Sequence, residues 1–498
     1  MTRTLMMHTS KITTSKPVAT YLHSPCTEYR SHRLAGLALA MIGLWSGLAQ
    51  ASAVAESTAS TVSLTSDMPA MTLEKVVILS RHGVRAPTKM PPILYQVTPE
   101  QWPAWPVSLG DITPRGEHLI TLMGRYYRDY WRELGLLSAA ATAPSTGSAA
   151  ETDSTKGCPA PVDIYVWADV DERTRKTGEA FLQGLAPDCG LSIHHQADVR
   201  KKDPLFHIQP DSTCKMDPDT ALAAVQMQVG IPLGKINQAH APALALMDKV
   251  LRFEDSAYCQ LNAPQSGICT LAATMPEKVT IGDGVKIQQH GALSLSSTLA
   301  EMFLLQQAQG MAAPGWGRIH TEAQWNKLLS LHNAAFNLAF RTPYIAAHQG
   351  SALLQTITAA LNDTAGADSL GTPAAKARIV FLAGHDTNLA NLSGLLGTDW
   401  TLPQQPDNTP PGGELVFERW RDSRGTPWLR VQVVYQSLAQ MREQTPLTLT
   451  EPPHAVTLQL PGCQTASERA GWCQLSDFNR YVKLHVIPSC TLQALRSD

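Results

Sequence analysis

Two short motifs carry side chains suited to phosphoryl transfer. The first, Arg81-His82-Gly83-Val84-Arg85, sets one imidazole between two guanidinium groups. Guanidinium groups bind phosphate oxygens through paired hydrogen bonds, and Gly83 lets the backbone approach a ligand closely. Nearby cations also keep an imidazole neutral, which leaves its lone pair free to attack phosphorus. The motif therefore predicts that His82 is a nucleophile and that Arg81 and Arg85 bind phosphate.

The second motif, Gly384-His385-Asp386, carries groups that complete such a reaction. A phosphate monoester needs a proton on its leaving oxygen. We expect Asp386, when it is partly screened from water and close to the anionic ester, to retain a proton in mild acid and to supply it. His385 donates a hydrogen bond to the phosphate, and Asp386 then acts as base for the water that hydrolyses the phosphohistidine. The alternative role of Asp386 is only to cap the helix that follows it.

A third charged cluster, Asp169-Val170-Asp171-Glu172-Arg173, adds another cation to balance the charge of the transition state. The alternative role of Arg173 is only an ion pair with Asp169 or Asp171. Because guanidinium groups neutralise the phosphate, the reaction requires no metal and no other cofactor. Several other histidines are expected to be surface ion-pair members or polar residues with satisfied hydrogen bonds, namely His194, His195, His207, His240, His348 and His454.

Three apolar, β-branched runs end directly at these charged clusters. The runs cover 76–79, 164–168 and 379–383. Runs without polar alternation are typical of strands buried on both faces of a mainly parallel sheet. Ligands of such sheets bind beyond the carboxyl ends of the strands. We therefore expect the three clusters to share one edge of a sheet.

Further patterns indicate the rest of the fold. Residues 177–185 and 387–396 predict helices after two of the strands, and the runs 414–418 and 430–435 predict an antiparallel hairpin. Between about Cys214 and Phe340 the patterns are helical, with no convincing strand. The predicted fold is α/β, with a mixed sheet flanked by helices and an inserted, mainly α-helical domain.

The amino-terminal region has the pattern of an export signal. Arg30 and Arg33 precede an apolar run at 34–49, which small residues follow. This predicts a signal peptide over 1–53, with an extended n-region and cleavage near Ala51 or Ala53. A membrane anchor is the alternative, but the run is shorter than the ~20 residues of a spanning helix. The expected location is the periplasm, with no membrane contact after cleavage.

The predicted domain organisation follows from these patterns. It comprises a flexible segment at 54–70, an α/β catalytic domain at 71–213 and 341–498 with a flexible insertion at 138–157, and an α-helical cap domain at 214–340. The chain has 498 residues, and its hydrophobic fraction of 44% excludes overall disorder. A formal net charge of -2 provides no general attraction to nucleic acid. We expect a monomer that binds a small phosphomonoester and no nucleic acid.

Cysteine usage agrees with export. Cys26 lies in the predicted leader, and the remaining cysteines are Cys158, Cys189, Cys214, Cys259, Cys269, Cys463, Cys473 and Cys490. An even set in an exported protein predicts disulfides, whereas the absence of a Cys-x-x-Cys pair disfavours zinc. The spacing favours the local pairs Cys259/Cys269 and Cys463/Cys473 and leaves the other pairings open.

The chain resembles the histidine acid phosphatase family, and within it the bacterial periplasmic phytases. The resemblance lies in Arg81-His82-Gly83-Val84-Arg85-Ala86-Pro87 and Gly384-His385-Asp386-Thr387-Asn388, and it extends to 102–106, 168–180, 314–318 and 405–415. It runs from about Leu73 to Leu492. The resemblance implies a phosphoglycerate-mutase-like α/β domain with a helical domain over the active-site cleft.

The resemblance also implies residue roles. His82 would be the nucleophile, Asp386 the proton donor, and Arg81, Arg85, Arg173 and His385 the phosphate ligands. The outer substrate pocket would be lined by Thr88, Lys89, Asp169, Glu301 and Thr387. The implied disulfides are Cys158–Cys189, Cys214–Cys490, Cys259–Cys269 and Cys463–Cys473. Two positions depart from the closest phytases: Thr298 replaces a methionine, and Gln349 replaces an arginine that reaches toward outer phosphates.

The sequence thus predicts an exported acid phosphatase that acts through a phosphohistidine, with myo-inositol hexakisphosphate as its preferred substrate. A sugar-phosphate phosphatase of the glucose-1-phosphatase type is the enzymatic alternative. An anion-binding periplasmic protein without catalysis is the alternative from another class.

Overall fold

A computed structural model of the chain describes residues 71–137, 158–209, 212–263, 267–463 and 470–497. The predicted leader, the segment at 54–70 and the insertion at 138–157 lie outside the described residues. The strands are β1 (Thr72–Arg81), β2 (Ile164–Ala168), β3 (His194–His195), β4 (Lys278–Gly282), β5 (Lys286–His290), β6 (Ile379–Gly384), β7 (Glu414–Arg421), β8 (Pro427–Tyr435), β9 (His454–Thr457) and β10 (Trp472–Gln474).

A mixed sheet of eight strands forms the centre of this described part, in the order β10-β8-β7-β1-β6-β2-β3, with β9 paired to β8. The strands β1, β6, β2 and β3 run parallel to one another, whereas β7, β8, β9 and β10 form antiparallel pairs. The strands predicted at 76–79, 164–168 and 379–383 correspond to β1, β2 and β6, so these predictions are confirmed.

The central strand β1 is buried on both faces. Val77 and Leu79 pack into one apolar cluster, whereas the alternating Val76 and Ile78 pack into another on the opposite face. All four side chains are fully buried. Because neither face of the strand meets water over 76–79, this part of its sequence is apolar at every position rather than at alternate ones.

Helices flank the sheet. They are α1 (Pro92–Gln96), α2 (Pro114–Glu133), α3 (Glu172–Leu185), α4 (Pro218–Val229), α5 (Ile236–Ala239), α6 (Ala241–Leu251), α7 (Ala257–Asn262), α8 (Leu271–Thr274), α9 (Ala292–Ala308), α10 (Glu322–Phe336), α11 (Pro343–Leu361), α12 (Gly371–Lys376), α13 (Asp386–Leu395), α14 (Leu438–Glu443), α15 (Leu475–His485) and α16 (Leu492–Ser497). The predicted helices at 177–185 and 387–396 correspond to α3 and α13, and the predicted hairpin corresponds to β7 and β8. The α/β fold with a helix-flanked mixed sheet is confirmed.

The segment between Cys214 and Phe340 is mainly helical but contains the hairpin β4–β5, where the sequence pattern predicts no strand. The hairpin strands are rich in Lys and Gln, which obscures their periodicity. The missed signal is the turn Asp283-Gly284, whose φ angles of 55° and 71° are those of a type I′ turn. A separate apolar cluster holds α4, α6, α9 and α10 together. The division into two domains stays a prediction.

The cysteines pair as Cys158–Cys189, Cys214–Cys490, Cys259–Cys269 and Cys463–Cys473. This confirms the implied disulfides. Cys214–Cys490 joins the start of the helical segment to the turn before α16. Among the described helices, none combines the length and the apolar character needed to cross a membrane.

Candidate active site

The parallel pairing of β1, β6 and β2 brings the three charged clusters to one sheet edge. Arg81 pairs with Gly384 in the register of β1 and β6. Beyond the strand ends, the backbone N–H of His82 donates to the Gly384 carbonyl and that of Asp169 donates to the Ala383 carbonyl, both at 3.0 Å. These backbone contacts place His82, Asp169 and His385 side by side.

His82 is buried directly beyond the end of β1 and has only 1% of its surface exposed. Its Nδ1 lies 3.0 Å from the Gly83 carbonyl. The tautomer that donates this hydrogen bond leaves the lone pair on Nε2. Burial, together with the positive charges of Arg173, Arg85 and Arg81, lowers the pKa of His82 well below its ordinary value. The neutral form of the imidazole is therefore favoured.

Gly83 has a different role from the ligand contact that the sequence suggests. A Cβ at Gly83 would lie 2.9 Å from both the Gly116 carbonyl oxygen and Cδ1 of Ile112. Gly116 lies in the first turn of α2, and a Cβ there would meet the Val84 carbonyl at 2.2 Å. These two glycines let the His82 loop pack directly on α2, which fixes the direction of the imidazole.

Arg81 is fully buried, and its two terminal nitrogens contact several acceptors. Nη1 donates to Oδ2 of Asp407 at 3.0 Å and to the Thr409 carbonyl at 2.5 Å. Nη2 lies 3.1 Å from Oδ2 of Asp386 and also contacts Glu301. Asp407 therefore holds the guanidinium from the side remote from Glu301. The segment 405–415 shares in the family resemblance, but its pattern alone assigns no role to Asp407.

Glu301 projects from α9 and contacts both phosphate-binding arginines of the first motif. Its Oε1 accepts from Nη2 of Arg85 at 2.9 Å and also contacts Arg81. Burial raises the pKa of Glu301, but the charges of Arg85 and Arg81 lower it further, so the net shift is downward. Glu301 thus carries a negative charge between two guanidinium groups.

The arginines retain buried donors without a partner. Among the described residues, Nε of Arg81, Arg85 and Arg173 has no hydrogen-bond acceptor and no contact with solvent. Buried unpaired donors are costly, so native structures rarely keep several in one place without a ligand. An anion with several acceptor oxygens, such as phosphate, satisfies this donor set.

Asp169 is fully buried behind His385, so it lies away from the outer pocket that the resemblance implies for it. Its Oδ2 accepts from Nε2 of His385 at 2.6 Å and from Nε2 of His207 at 2.8 Å. Burial raises the pKa of Asp169, but the hydrogen bonds from His207 and His385 lower it strongly, and the net shift is downward. His207 is thus a polar residue with a partner, as expected, and that partner is a residue that also contacts His385.

Arg173 makes the ion pair considered from the sequence and also lies close to two histidines. Nη2 donates to Oδ2 of Asp171 at 2.6 Å and lies 3.4 Å from Nδ1 of His385. The charge of Arg173 also acts on His82, so the ion pair does not exclude a role at the site. Lys202 contacts the other oxygen of Asp171 at 2.9 Å, so this carboxylate is held by two cations.

Four side chains in this region meet the spacing of a metal site. The ligand atoms of Asp169, Asp171, His207 and His385 all lie within 4.8 Å of one another. Their present contacts are those of a hydrogen-bond network, because both histidines donate to one oxygen of Asp169.

Asp386 opens α13, but His385 occupies the N-cap position and Asp386 is the first helical residue. Its Oδ1 accepts from the Thr387 backbone N–H at 2.7 Å. Burial raises the pKa of Asp386, whereas Arg81, Arg85 and His385 lower it, with a net decrease to about 2. The carboxyl is therefore ionised in mild acid, whereas the sequence expectation of a retained proton concerns Asp386 beside an anionic ester.

An open cavity of about 660 Å³ adjoins the arginines. Among the predicted site residues, it is lined by Arg85, Thr88, Lys89 and Glu301. Its wall also includes Thr298 of α9 and His290 at the end of β5. Thr387 and Gln349 are absent from this lining, and the Gln349 amide instead donates to the Val285 carbonyl at 2.9 Å.

Residues 72–436 match the histidine phosphatase superfamily, branch 2. The chain belongs to this family. This histidine phosphatase is 45% identical over 426 residues to phytase AppA of Escherichia coli. The aligned region covers 85% of the chain and 94% of the relative. It is 31% identical to a glucose-1-phosphatase of Salmonella typhimurium, over 82% of the chain and 91% of the relative.

Solved structures agree with this assignment. The Hafnia alvei phytase in complex with myo-inositol hexakis sulphate is 52% identical, with a TM-score of 0.77 over 84% of this chain and 98% of the other. The resemblance to histidine acid phosphatases and bacterial phytases is confirmed. In this histidine phosphatase, His207 and Asp407 were missed as site residues because they contact the motifs only in space, far from them along the sequence.

Proposed function

We propose that the chain hydrolyses phosphomonoesters through a phosphohistidine at His82, with myo-inositol hexakisphosphate as the preferred substrate. One observation carries the proposal: a neutral, buried His82 lies among three arginines whose Nε donors are buried and unpaired. This arrangement suits a phosphate group that accepts from the arginines while the imidazole attacks its phosphorus.

In the first step, the His82 Nε2–phosphorus bond forms and the bond from phosphorus to the alcohol oxygen breaks. That oxygen takes a proton from Asp386. The pKa of Asp386 is low because the positive charges of Arg81 and Arg85 stabilise its carboxylate. The negative charge of bound phosphate offsets these cations and raises the pKa, so Asp386 acquires its proton when substrate binds.

In the second step, a water oxygen bonds to phosphorus and the phosphorus–His82 bond breaks. Asp386, now ionised, accepts a proton from this water and returns to its acid form. The arginines and His385 hold the phosphoryl oxygens throughout, which stabilises the charge that develops in each transition state.

Two observations support a polyphosphorylated substrate. The cavity beside Arg85 is open and carries Lys89 and His290 at its wall, which suits additional phosphates around an inositol ring. The higher identity is to relatives named phytases, at 45% and 52%, compared with 31% to the glucose-1-phosphatase. A preference for glucose 1-phosphate is the alternative outcome of the substrate test below.

We also propose that residues 214–340 act as a cap over this site. Their helices share an apolar cluster of their own, and Glu301 and His290 bring this segment to the cavity. Export to the periplasm, with cleavage near Ala51 or Ala53, is part of the same proposal. The disulfides support export, since such bonds persist in oxidising compartments.

The test is a phosphate-release assay of the oxidised chain lacking residues 1–53. Its substrates are phytate, glucose 1-phosphate and p-nitrophenyl phosphate, assayed in mild acid with and without EDTA. We expect release from all three, with the highest kcat/KM for phytate and no effect of EDTA. No release from any substrate would refute the enzyme proposal, and a preference for glucose 1-phosphate would refute the phytase assignment.

A further inference from the structure

Two histidines from distant parts of the sequence donate to the same oxygen of one buried carboxylate. Oδ2 of Asp169 lies 2.6 Å from Nε2 of His385 and 2.8 Å from Nε2 of His207, and the two ring centroids are 5.0 Å apart. His385 belongs to the proposed phosphate site, whereas His207 lies behind it. The mechanism described above assigns nothing to His207.

We propose that His207 is a positioning residue that, through Asp169, holds the ring of His385 in the orientation that binds the substrate phosphate. The proposal rests on the phosphatase function proposed above. Oδ1 of Asp169 has no hydrogen-bond partner among the described residues, so the orientation of this carboxylate depends on the contacts of Oδ2. Removing His207 leaves His385 as the only described side chain that donates to it.

The loop of His207 is built to hold this contact. The His207 backbone N–H donates to the Asp203 carbonyl at 3.0 Å. The Asp203 carboxylate accepts from Nε1 of Trp167 on β2 at 2.8 Å and from the Leu205 backbone N–H at 2.9 Å. The loop is therefore fixed to the strand that precedes Asp169.

A second connection ties the same loop to His385. The Phe206 carbonyl accepts from Nδ2 of Asn388 at 3.0 Å, and Oδ1 of Asn388 accepts from the His385 backbone N–H at 2.9 Å. The His207 loop is thus fixed both to the strand that precedes Asp169 and to the backbone of His385. Such contacts hold a functional side chain in a defined orientation.

The contact with Asp169 determines which nitrogen of His385 faces the phosphate. With the Nε2 proton donated to Asp169, Nδ1 points toward Arg173, 3.4 Å away. Burial lowers the pKa of His385 and the hydrogen bond to Asp169 raises it, with a net decrease, so Nδ1 carries no proton while it faces Arg173. The negative charge of a bound phosphate raises this pKa, and His385 donates to the phosphate once Nδ1 has taken up a proton.

The negative charge of Asp169 interacts with two rings, because both His207 and His385 donate to its Oδ2. The other charged and titratable groups that interact with His385 are His82, Asp171, Arg173 and Asp386, and Asp169 interacts with both rings. Without His207, the Asp169 carboxylate interacts with His385 alone, and the pKa of His385 rises. The form of His385 that donates to phosphate then persists to higher pH.

The experiment compares H207Q, which keeps an N–H donor at similar reach, with H207L, which has none. H195Q and H195L are matched controls, because His195 lies on the neighbouring β3 and its Nδ1 contacts only its own loop, at the Gln196 carbonyl. Phosphate release from p-nitrophenyl phosphate and phytate is measured across pH, and thermal unfolding of each variant confirms that it is folded.

We expect H207L to lose about 10- to 100-fold in kcat/KM, the effect of losing a hydrogen bond to a charged group. H207Q should retain kcat/KM within about twofold, and the His195 variants should be unchanged. The alkaline limb of the pH profile should move upward in H207L only. A loss of the same factor at every pH, or equal losses in H207Q and H207L, would overturn the proposal.

A double-mutant cycle tests whether His207 acts through Asp169. In a D169N background, the H207L substitution should cost less than threefold, because the charged acceptor is already absent. An undiminished loss in that background would contradict the proposal. Abolition of wild-type activity by EDTA would instead identify Asp169, Asp171, His207 and His385 as a metal site and overturn it. Failure of the proposed function is distinguishable, since wild-type protein would then release no phosphate.

Discussion

The inner phosphate site and the outer cavity of this protein are built in opposite ways. The inner site consists of buried groups that each contact several partners, such as Arg81 with Asp407, Asp386 and Glu301. The outer cavity is open, and Lys89 and His290 at its wall are solvent exposed. Buried charges interact strongly and tolerate little change, whereas exposed charges are screened by water. Chemistry therefore depends on the inner site, and substrate preference on the outer cavity.

The largest expected effect is the loss of the inner nucleophile. H82A should lower kcat by at least about 10⁴-fold for every substrate, since no other group forms the covalent intermediate. Rapid-quench trapping of phosphoenzyme from labelled substrate measures this directly, with H195A as the matched control. A labelled intermediate that persists in H82A would show that another residue is the nucleophile.

The proton donor should show an effect that depends on the leaving group. D386N should lose about 10²- to 10⁴-fold with phytate, whose alcohol oxygen needs a proton, and much less with p-nitrophenyl phosphate. The measurement is kcat/KM for both substrates.

D407N provides the control for this comparison. Asp407 acts through Arg81 on the phosphate itself, so its loss should affect both substrates by a similar factor. Equal losses for both substrates in D386N would count against its role as acid.

The outer cavity should yield a smaller effect, confined to polyphosphorylated substrate. K89A should raise KM for phytate about 3- to 10-fold, the contribution of one exposed charge, and leave p-nitrophenyl phosphate unchanged. The difference in KM for phytate between K89A and wild type should shrink at high salt. K376A removes an exposed lysine from α12, outside the cavity, and serves as control. An equal change for both substrates in K89A would place Lys89 in the inner site.

The smallest expected effect concerns the stability of the fold, at the point where the end of β1 pairs with the start of β7. Glu414 pairs with Ser80 in the register of β1 and β7, and burial raises its pKa to about 8, opposed by a hydrogen bond from Tyr127. The folded chain therefore keeps a proton that the unfolded chain loses above about pH 4.5, so stability falls as pH rises toward 8. E414Q removes this dependence.

Urea unfolding at pH 4.5 and pH 7.5 measures the stability difference. E414Q should gain stability relative to wild type at the higher pH and show little difference at the lower one. E418Q, on the same strand, removes the negative charge that accepts from Nε of Arg430 at 2.7 Å and should destabilise at both pH values. A pH-independent effect of E414Q would show that Glu414 is ionised in the folded protein.

The predictable parts of the site follow buried strands directly. His82, Asp169 and His385 come directly after β1, β2 and β6. The parallel pairing of these strands therefore brings the three residues together. Their surroundings were less predictable. The pKa of Asp386 depends on Arg81 and Arg85, and the sequence pattern does not reveal how close these cations lie to its carboxylate.

The sequence by itself determined the α/β fold, the reacting groups and the cysteines available for pairing. These features are local, since an apolar run, a short motif and the number of cysteines are all visible along the chain. Only the tertiary structure decided the network of Asp169, His207 and His385, the contact of Asp407 with Arg81 and the hairpin wall of the cavity. Those features depend on distances between residues far apart in sequence, and hydrogen bonds form only when folding brings donor and acceptor to within about 3 Å.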